Sequence, residues 1–586
     1  MSRPGRAARA GFHGSIALAA ALVCGCGGPS PGPDVERDVA VPMRDGVVLR
    51  ANVWRPAGPG PFPVLVYRTP YGKDATETWY ETHLRATERG YAVVLQDVRG
   101  RYASEGDFEA YRNEGRDGYD TIEWAAAEPW SNGKVGTFGL SYPGAVQWLA
   151  ALERPPHLVA MAPAMTFSSP RHFFYFGGVF DNSWLPWVLG TIAPDLRRRR
   201  GLPGAHDEAA ADAWWQEHGD ELRARLPLSA VPELRDVAPF YYDWLAHEPT
   251  DPWWDWGEIR GRYGEVDAAV LNLSGWYDEA YGPEGATTNF NGLVAARRGD
   301  PEPRTRLVLG PWVHGVRSVG QRATGDLDFG LDAALDYDDL VLDWMDLHVR
   351  GIADPDASAP LVRYFVMGEN RWHDAATWPP EPAEPLVLYL RAGGLAAEPP
   401  AADGGATLLA SDPAAPLTDP YSAFGPHDYG GFVDGGNVRL FDSTPLERDL
   451  EVTGGITAEI HLACDCPDTD LVVKLLDVAP DGKAFNLMSP GLDVQRASYR
   501  DPTRGRQLLV PGEIYRLTLD NLMTSHLFRR GHRIRVQIST AFFPHLSRNL
   551  HTGELETESA TTRRATVTLF HDAAHPSRIV LPVPQH

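Results

Sequence analysis

Ser141 stands in the turn Gly139-Leu140-Ser141-Tyr142-Pro143-Gly144. A serine hydroxyl attacks a carbonyl only if a base takes its proton and a third group orients that base. Two downstream stretches supply these. Gly275-Trp276-Tyr277-Asp278 ends in a carboxylate, and Gly310-Pro311-Trp312-Val313-His314 ends in an imidazole. Each follows an apolar run that reads as a strand. The chain order Ser, Asp, His is that of enzymes whose nucleophile sits on a strand-to-helix elbow. Of the 19 histidines, His314 is set apart by this position; His157, His172 and His348 follow no predicted strand. The chemistry of such a set is acyl transfer through a covalent intermediate. Its oxyanion needs donors, and the backbone N–H of Tyr142 is one by elbow geometry. Tyr71, just after the strand at Pro63–Tyr67, is a candidate second, since a phenol with an ordinary pKa of ~10 stays protonated at neutral pH. The plainer alternatives are a Gly-flanked turn for Ser141 and a packing aromatic for Tyr71.

The elements that must position these residues are legible around them. Lys134 to Trp148 reads as a short apolar strand, a tight turn and the start of a helix. Gly139 and Gly144 permit close approach of strand and helix, and Pro143 falls in a helical first turn, where a missing N–H costs nothing. The usual spacing is G-x-S-x-G; here the second glycine comes one residue late. Upstream, Asp38–Met43 and Val47–Trp54 flank a hairpin signal at Arg44-Asp45-Gly46. Strands at Pro63–Tyr67 and Tyr91–Gln96 alternate with helices at Thr78–Arg89 and Asp117–Ala126. Downstream come a strand at Ala268–Ser274, a helix at Ala286–Arg298, a strand at Thr305–Leu309, a helix at Asp336–Val349 and a strand at Leu361–Met367. Such alternation predicts a doubly wound, largely parallel α/β sheet, with its site at the C-terminal ends of the strands. In Asp97-Val98-Arg99-Gly100, Asp97 precedes Ser141 in sequence and reads as a turn residue or as the ion-pair partner of Arg99.

From about Thr166 to Gly264 the text turns helical and holds eight of the 18 tryptophans, as expected of a cap over a site. Trp184 and Trp187 in this segment, with Trp276, Tyr277 and Trp312 beside the candidate triad, are the expected substrate pocket. After Trp378-Pro379-Pro380-Glu381-Pro382 helix signals vanish, and short strands and turns run to the end, as in a β-sandwich or jelly roll.

Net charge is −24 and the pI near 5.2, which argues against nucleic acid and anionic lipid as main partners. The basic run Arg197–Arg200 reads as a solvated loop or helix end. At the N-terminus, Arg3, Arg6 and Arg9 precede a short apolar stretch, Gly14–Val23, and then Val23-Cys24-Gly25-Cys26. This resembles a bacterial lipoprotein signal peptide, cleaved before Cys26, with a Pro/Gly tether behind it. The expectation is export to the cell envelope with a lipid on Cys26; simple cleavage to a periplasmic or secreted protein is the alternative, because Cys24 is unusual at its position. A mature N-terminus without lipid in mass spectrometry would reject the anchor. The remaining cysteines, Cys464 and Cys466, are two apart in a predicted strand, where a disulfide would be strained, so they are expected as free or marginally redox-active packing residues. No Cys/His spacing suggests a metal, and no cofactor is expected.

At these positions the chain resembles the cocaine-esterase-like (CocE/NonD) hydrolases of the X-Pro dipeptidyl-peptidase superfamily. The matching stretches are Arg68-Thr69-Pro70-Tyr71, Asp97-Val98-Arg99-Gly100, the elbow, and the Asp278 and His314 loops. To these are added Phe365-Val366-Met367-Gly368-Glu369-Asn370, Thr469–Asp477 and Arg548-Asn549-Leu550-His551-Thr552-Gly553. The resemblance covers nearly all of residues 35–580. It implies an α/β-hydrolase domain (35–165 and 265–380), an inserted helical cap (166–264) and a C-terminal jelly roll (385–586), behind a leader (1–25) and tether (26–34). It also implies Ser141, Asp278 and His314 as triad, with the Tyr71 hydroxyl and Tyr142 N–H as oxyanion hole. The substrate would be a small ester or short peptide. The α-amino-acid ester hydrolases of this group carry extra acids after the triad Asp; here Glu279 is followed by Ala280 and Tyr281. That weakens an amino-acid ester reading. No ammonium anchor for an X-Pro dipeptidyl-peptidase is evident either, so cleavage of esters with apolar acyl groups is favoured over amide cleavage. A surface-anchored glycan-binding protein with an inert hydrolase domain is the remote third reading.

Overall fold

The computed structural model describes residues 32–278, 282–300, 304–353, 360–488 and 492–585. The leader with Cys26, and Glu279, Ala280 and Tyr281, lie outside these residues. Ten strands form one mixed sheet. They are β1 (Asp34–Pro42), β2 (Val48–Arg55), β3 (Phe62–Thr69), β4 (Ala92–Asp97), β5 (Ser131–Leu140), β6 (Leu158–Ala164), β7 (Ala269–Tyr277), β8 (Thr305–Val313), β9 (Val362–Val366) and β10 (Arg371–Ala375). Their order is β1-β2-β4-β3-β5-β6-β7-β8-β9-β10. From β4 across to β9 every neighbouring pair is parallel, while β1–β2, β2–β4 and β9–β10 are antiparallel. The central strands β4 and β7 are buried at every position, which is why they read as unbroken apolar runs rather than as alternations.

Helices cover both faces. Val64 and Val66 of β3 pack with Ala145, Val146 and Leu149 of the helix α2 (Tyr142–Leu152), beside α1 (Glu114–Ala127). Leu65 and Tyr67 point the other way, into a core shared with Val341, Leu342 and Met345 of the helix Tyr337–Met345. Two expected helices are broken. The one predicted over Thr78–Arg89 is a pair, Lys73–Trp79 and Thr82–Glu88, separated where Tyr80 turns extended. The one predicted over Asp336–Val349 changes to a π-helix at Asp346–Arg350 and stops at Gly351, whose φ is 71°.

Between β6 and β7 the chain forms the helical, aromatic-rich segment expected from sequence. Its longest helix, α3 (Glu208–Ala224), starts where Asp207 accepts the Ala210 N–H at 2.8 Å. The run Arg197–Arg200 is indeed a helix end, but it is not simply solvated. Arg199 donates to the Ser104 carbonyl at 2.7 Å, and Arg200 to the Val237 carbonyl at 3.1 Å.

The C-terminal part is all β, with a seven-stranded and a five-stranded sheet. Ile460 and Leu462 from the first share a core with Leu475 and Val536 from the second. It braces the rest of the molecule. The Tyr277 hydroxyl donates to the Asn486 carbonyl at 3.0 Å, the Met367 N–H to Ser525 at 3.0 Å, and the Asn182 N–H to His545 at 2.9 Å.

Two expectations are corrected here. Cys464 and Cys466 form a disulfide. Two residues apart on an extended strand are ~6.6 Å apart, but the strand Leu450–Cys464 ends at the first cysteine and the chain bends, bringing the Cα atoms to 5.1 Å. That lies within the span a disulfide bridges. Arg99 does not pair with Asp97. It pairs with Asp117 at 2.6 Å and Asp45 at 2.9 Å. Asp97 instead accepts the backbone N–H of Lys73 at 2.6 Å, and burial pushes its carboxyl up to about 6.

Candidate active site

The elbow is built as its residues require. Ser141 has φ 70° and ψ −130°, a conformation that costs a non-glycine residue about 1–3 kcal/mol. Its N–H donates to the Ala164 carbonyl at 3.0 Å, and its own carbonyl accepts the N–H groups of Gly144 and Ala145 at 2.8 and 2.9 Å. The two flanking glycines are steric necessities. A Cβ on Gly139 would lie 2.5 Å from Pro143 Cβ, and one on Gly144 would lie 2.6 Å from the Ala164 carbonyl oxygen. The late glycine thus marks where α2 crosses the end of β6. Gln147, which nothing in the sequence singled out, pins the turn from within. Its Nε2 donates to the carbonyl of Pro143 at 2.9 Å, and its Oε1 accepts from the Thr137 hydroxyl and the Ala162 N–H, both at 3.1 Å.

Asp278 and His314 leave adjacent parallel strands and meet. Tyr277 of β7 is in register with Val313 of β8, after a bulge between Gly310 and Val313. A Cβ on Gly275 would lie 2.2 Å from the Trp312 carbonyl oxygen, so this glycine makes the close approach possible. The next residue on each strand then faces the other. His314 Nδ1 lies 2.8 Å from Asp278 Oδ1, and Ser274 Oγ donates to Asp278 Oδ2 at 3.2 Å. The carboxylate is fully buried and the imidazole is 21 % exposed. A buried acceptor fixed on Nδ1 leaves Nε2 to exchange protons, which is what a general base needs.

Tyr71 is drawn to the same place. Burial pushes the pKa of its phenol up to about 12, against the opposing influence of the neighbouring Trp187 and Ser141 side chains. It therefore remains a donor across the whole range in which an enzyme works. Arg101, fully buried, holds the Tyr71 loop to the segment above. Its Nε donates to the Pro70 carbonyl at 2.7 Å and its Nη1 to the Ile192 carbonyl at 2.6 Å. Tyr142 begins α2, where N–H groups have no intrahelical acceptor.

The expected pocket divides. Trp187 is half-buried and touches Tyr71, and Trp184 packs beside it, with ring centroids 5.5 Å apart, among Phe173, Phe174 and Trp244. Trp276, Tyr277 and Trp312 are core residues rather than pocket residues. The Trp276 indole donates to the Phe365 carbonyl and packs on Trp378, the Trp312 indole donates to the Ala333 carbonyl, both at 2.9 Å, and the Tyr277 hydroxyl is taken by Asn486. They sit on β7 and β8 themselves, whose side chains enter the layers either side of the sheet.

The fold and this arrangement are those of an α/β-hydrolase with an inserted helical segment and a C-terminal β domain. Residues 45–316 match the family model of the X-Pro dipeptidyl-peptidase (S15 family), and residues 357–580 match the X-Pro dipeptidyl-peptidase C-terminal non-catalytic domain. The chain is 32% identical to cocaine esterase from Rhodococcus sp. (strain MB1 Bresler), an alignment covering 94% of this chain and 98% of that one. Among solved structures, an α-amino acid ester hydrolase is 25% identical, covering 97% of this chain and all of that one, with a TM-score of 0.81. An aminopeptidase from the marine sediment archaeon Thaumarchaeota archaeon has the same fold, with 24% identity, coverage of 94% and 97%, and a TM-score of 0.81. The protein belongs to the cocaine-esterase-like (CocE/NonD) branch of the S15 family and is a serine hydrolase of the esterase or peptidase type.

Proposed function

We propose that the protein is a carboxylesterase in which Ser141 is the nucleophile, His314 the base and Asp278 the residue that orients it. The observation that carries this is the 2.8 Å His314–Asp278 contact at the C-terminal ends of β7 and β8, the same edge of the parallel sheet at which β5 ends in the strained Ser141 turn next to Tyr71. Ser141 Oγ adds to the ester carbonyl while His314 takes its proton. The Tyr71 hydroxyl and the Tyr142 N–H hold the oxyanion. His314 returns the proton to the departing alcohol, then draws one from water to hydrolyse the acyl-enzyme.

Two features favour an ester with an apolar acyl group over a peptide with a free N-terminus. The wall next to Tyr71 is aromatic, through Trp184 and Trp187. The first described acid after Asp278, Glu284, is already committed: Arg260 Nη2 lies 2.7 Å away, and Ser168 Oγ donates to it at 3.0 Å. It offers no free carboxylate to a substrate ammonium. A panel of p-nitrophenyl esters run against X-Pro-p-nitroanilides should show kcat/KM at least 10²-fold higher for the esters. Preference for the anilides would overturn the ester reading while leaving the triad intact. The leader supports placement at the cell envelope through a lipid on Cys26.

A further inference from the structure

The two oxyanion donors come from separate parts of the chain, Tyr71 from the loop after β3 and Tyr142 from the elbow after β5. Beneath them lies a buried polar chain that connects the two. Arg68, three residues before Tyr71, donates from Nε to Gln96 Oε1 at 2.8 Å and from Nη1 to the Glu114 carbonyl at 3.0 Å. Its Nη2 lies 2.9 Å from Glu114 Oε2. The other carboxylate oxygen, Oε1, accepts the Tyr142 hydroxyl at 2.9 Å, and that hydroxyl accepts the Tyr111 N–H at 2.8 Å. Arg68, Glu114 and Tyr142 are 4%, 2% and 0% exposed. Burial opposes the charge on Glu114 and pushes its carboxyl up, with the Arg68 guanidinium acting against that shift. Gly118 makes room for the arginine; a Cβ there would lie 3.1 Å from Arg68 Nη1 and 2.5 Å from Ala150 Cβ.

We infer that Arg68, Glu114 and the Tyr142 phenol are positioning residues that fix the spacing between the Tyr71 hydroxyl and the Tyr142 N–H. This rests on the oxyanion hole proposed above. A buried ion pair is weak evidence of stabilisation, because desolvation offsets its Coulombic gain, and apolar residues of the same volume would serve a core as well. Geometry is what this pair supplies. The guanidinium is planar and held by two hydrogen bonds and an ion contact, so it sets the end of β3 against α1, and the tyrosine ring sets the elbow against the same carboxylate. A second path closes the loop. Tyr111 stacks on the Tyr142 ring at 4.1 Å, Trp187 stacks on it at 6.4 Å, and Trp187 reaches the Tyr71 phenol. None of the three groups touches the reacting atoms, yet oxyanion stabilisation demands donors placed to within about half an ångström.

The test is a double-mutant cycle in the full chain with a p-nitrophenyl ester. Tyr142→Phe should lower kcat about 10- to 50-fold with KM within twofold, and weaken binding of a boronic acid, a tetrahedral adduct mimic, by the same factor. In a Tyr71→Phe background, where no spacing between two side-by-side donors is left to maintain, the same substitution should cost less than about threefold. If Tyr142→Phe does not melt cooperatively, Glu114→Gln takes its place in the cycle with the same expectations. Equal losses in both backgrounds, or a loss of melting temperature with kcat unchanged, would overturn the positioning role. If Tyr71→Phe alone keeps the wild-type kcat, the oxyanion hole itself is misassigned, an outcome distinct from an additive cycle.

Discussion

Ser141→Ala is expected to lower kcat for ester hydrolysis by about 10⁵- to 10⁶-fold, the loss typical when a triad nucleophile is removed. The substitution deletes one oxygen. It leaves the turn intact, because alanine and serine face the same steric cost at φ 70°, and the backbone bonds to Ala164, Gly144 and Ala145 do not involve the side chain. The melting temperature should therefore stay close to that of the wild type. A variant that folds normally and is inactive is the signature of lost chemistry; a variant that retains more than about a tenth of the wild-type rate would remove Ser141 from the mechanism.

Asp278→Asn is expected to cost about 10⁴-fold in kcat. The carboxylate accepts from His314 Nδ1 at 2.8 Å and is fully buried, so no solvent can replace it. An amide of the same shape can turn its NH₂ toward Nδ1. That stabilises the tautomer with the proton on Nε2, which cannot accept a proton from Ser141. The loss should fall on kcat rather than KM, since Asp278 is behind the imidazole and away from the substrate. Groups of a triad act as a unit, so the double variant Ser141→Ala/Asp278→Asn should be no slower than Ser141→Ala alone. Multiplied losses in the double variant would mean that the two residues serve separate steps.

The parts legible in the sequence are those specified locally. The elbow could be read because a glycine, a serine and a proline within six residues each meet a separate steric demand of one turn. The Asp278 and His314 loops could be read because each closes an apolar run at a strand's C-terminal end. What escaped depends on partners distant in sequence or on side-chain direction. Arg68 and Glu114 are 46 residues apart, and neither carries a local signal of the other. Arg99 stands two residues from Asp97, but the strand end turns it toward Asp117 and Asp45. Trp276 and Trp312 adjoin the loops of the site in sequence, while the sheet's alternation sends their rings into its cores. The disulfide carries no local signal, because the apolar pattern extends the expected strand through Cys466, whereas the strand ends at Cys464.

A nucleophilic serine activated by its surroundings reacts with reagents that ordinary serines ignore. A fluorophosphonate bonds covalently to such a serine and loses fluoride, so one labelling reaction followed by peptide mass mapping tests whether Ser141 is one. One adduct per chain is expected, on the peptide that holds Ser141, and none on the Ser141→Ala variant. No adduct on the folded protein, or an adduct on another residue that persists in Ser141→Ala, would contradict Ser141 as the nucleophile.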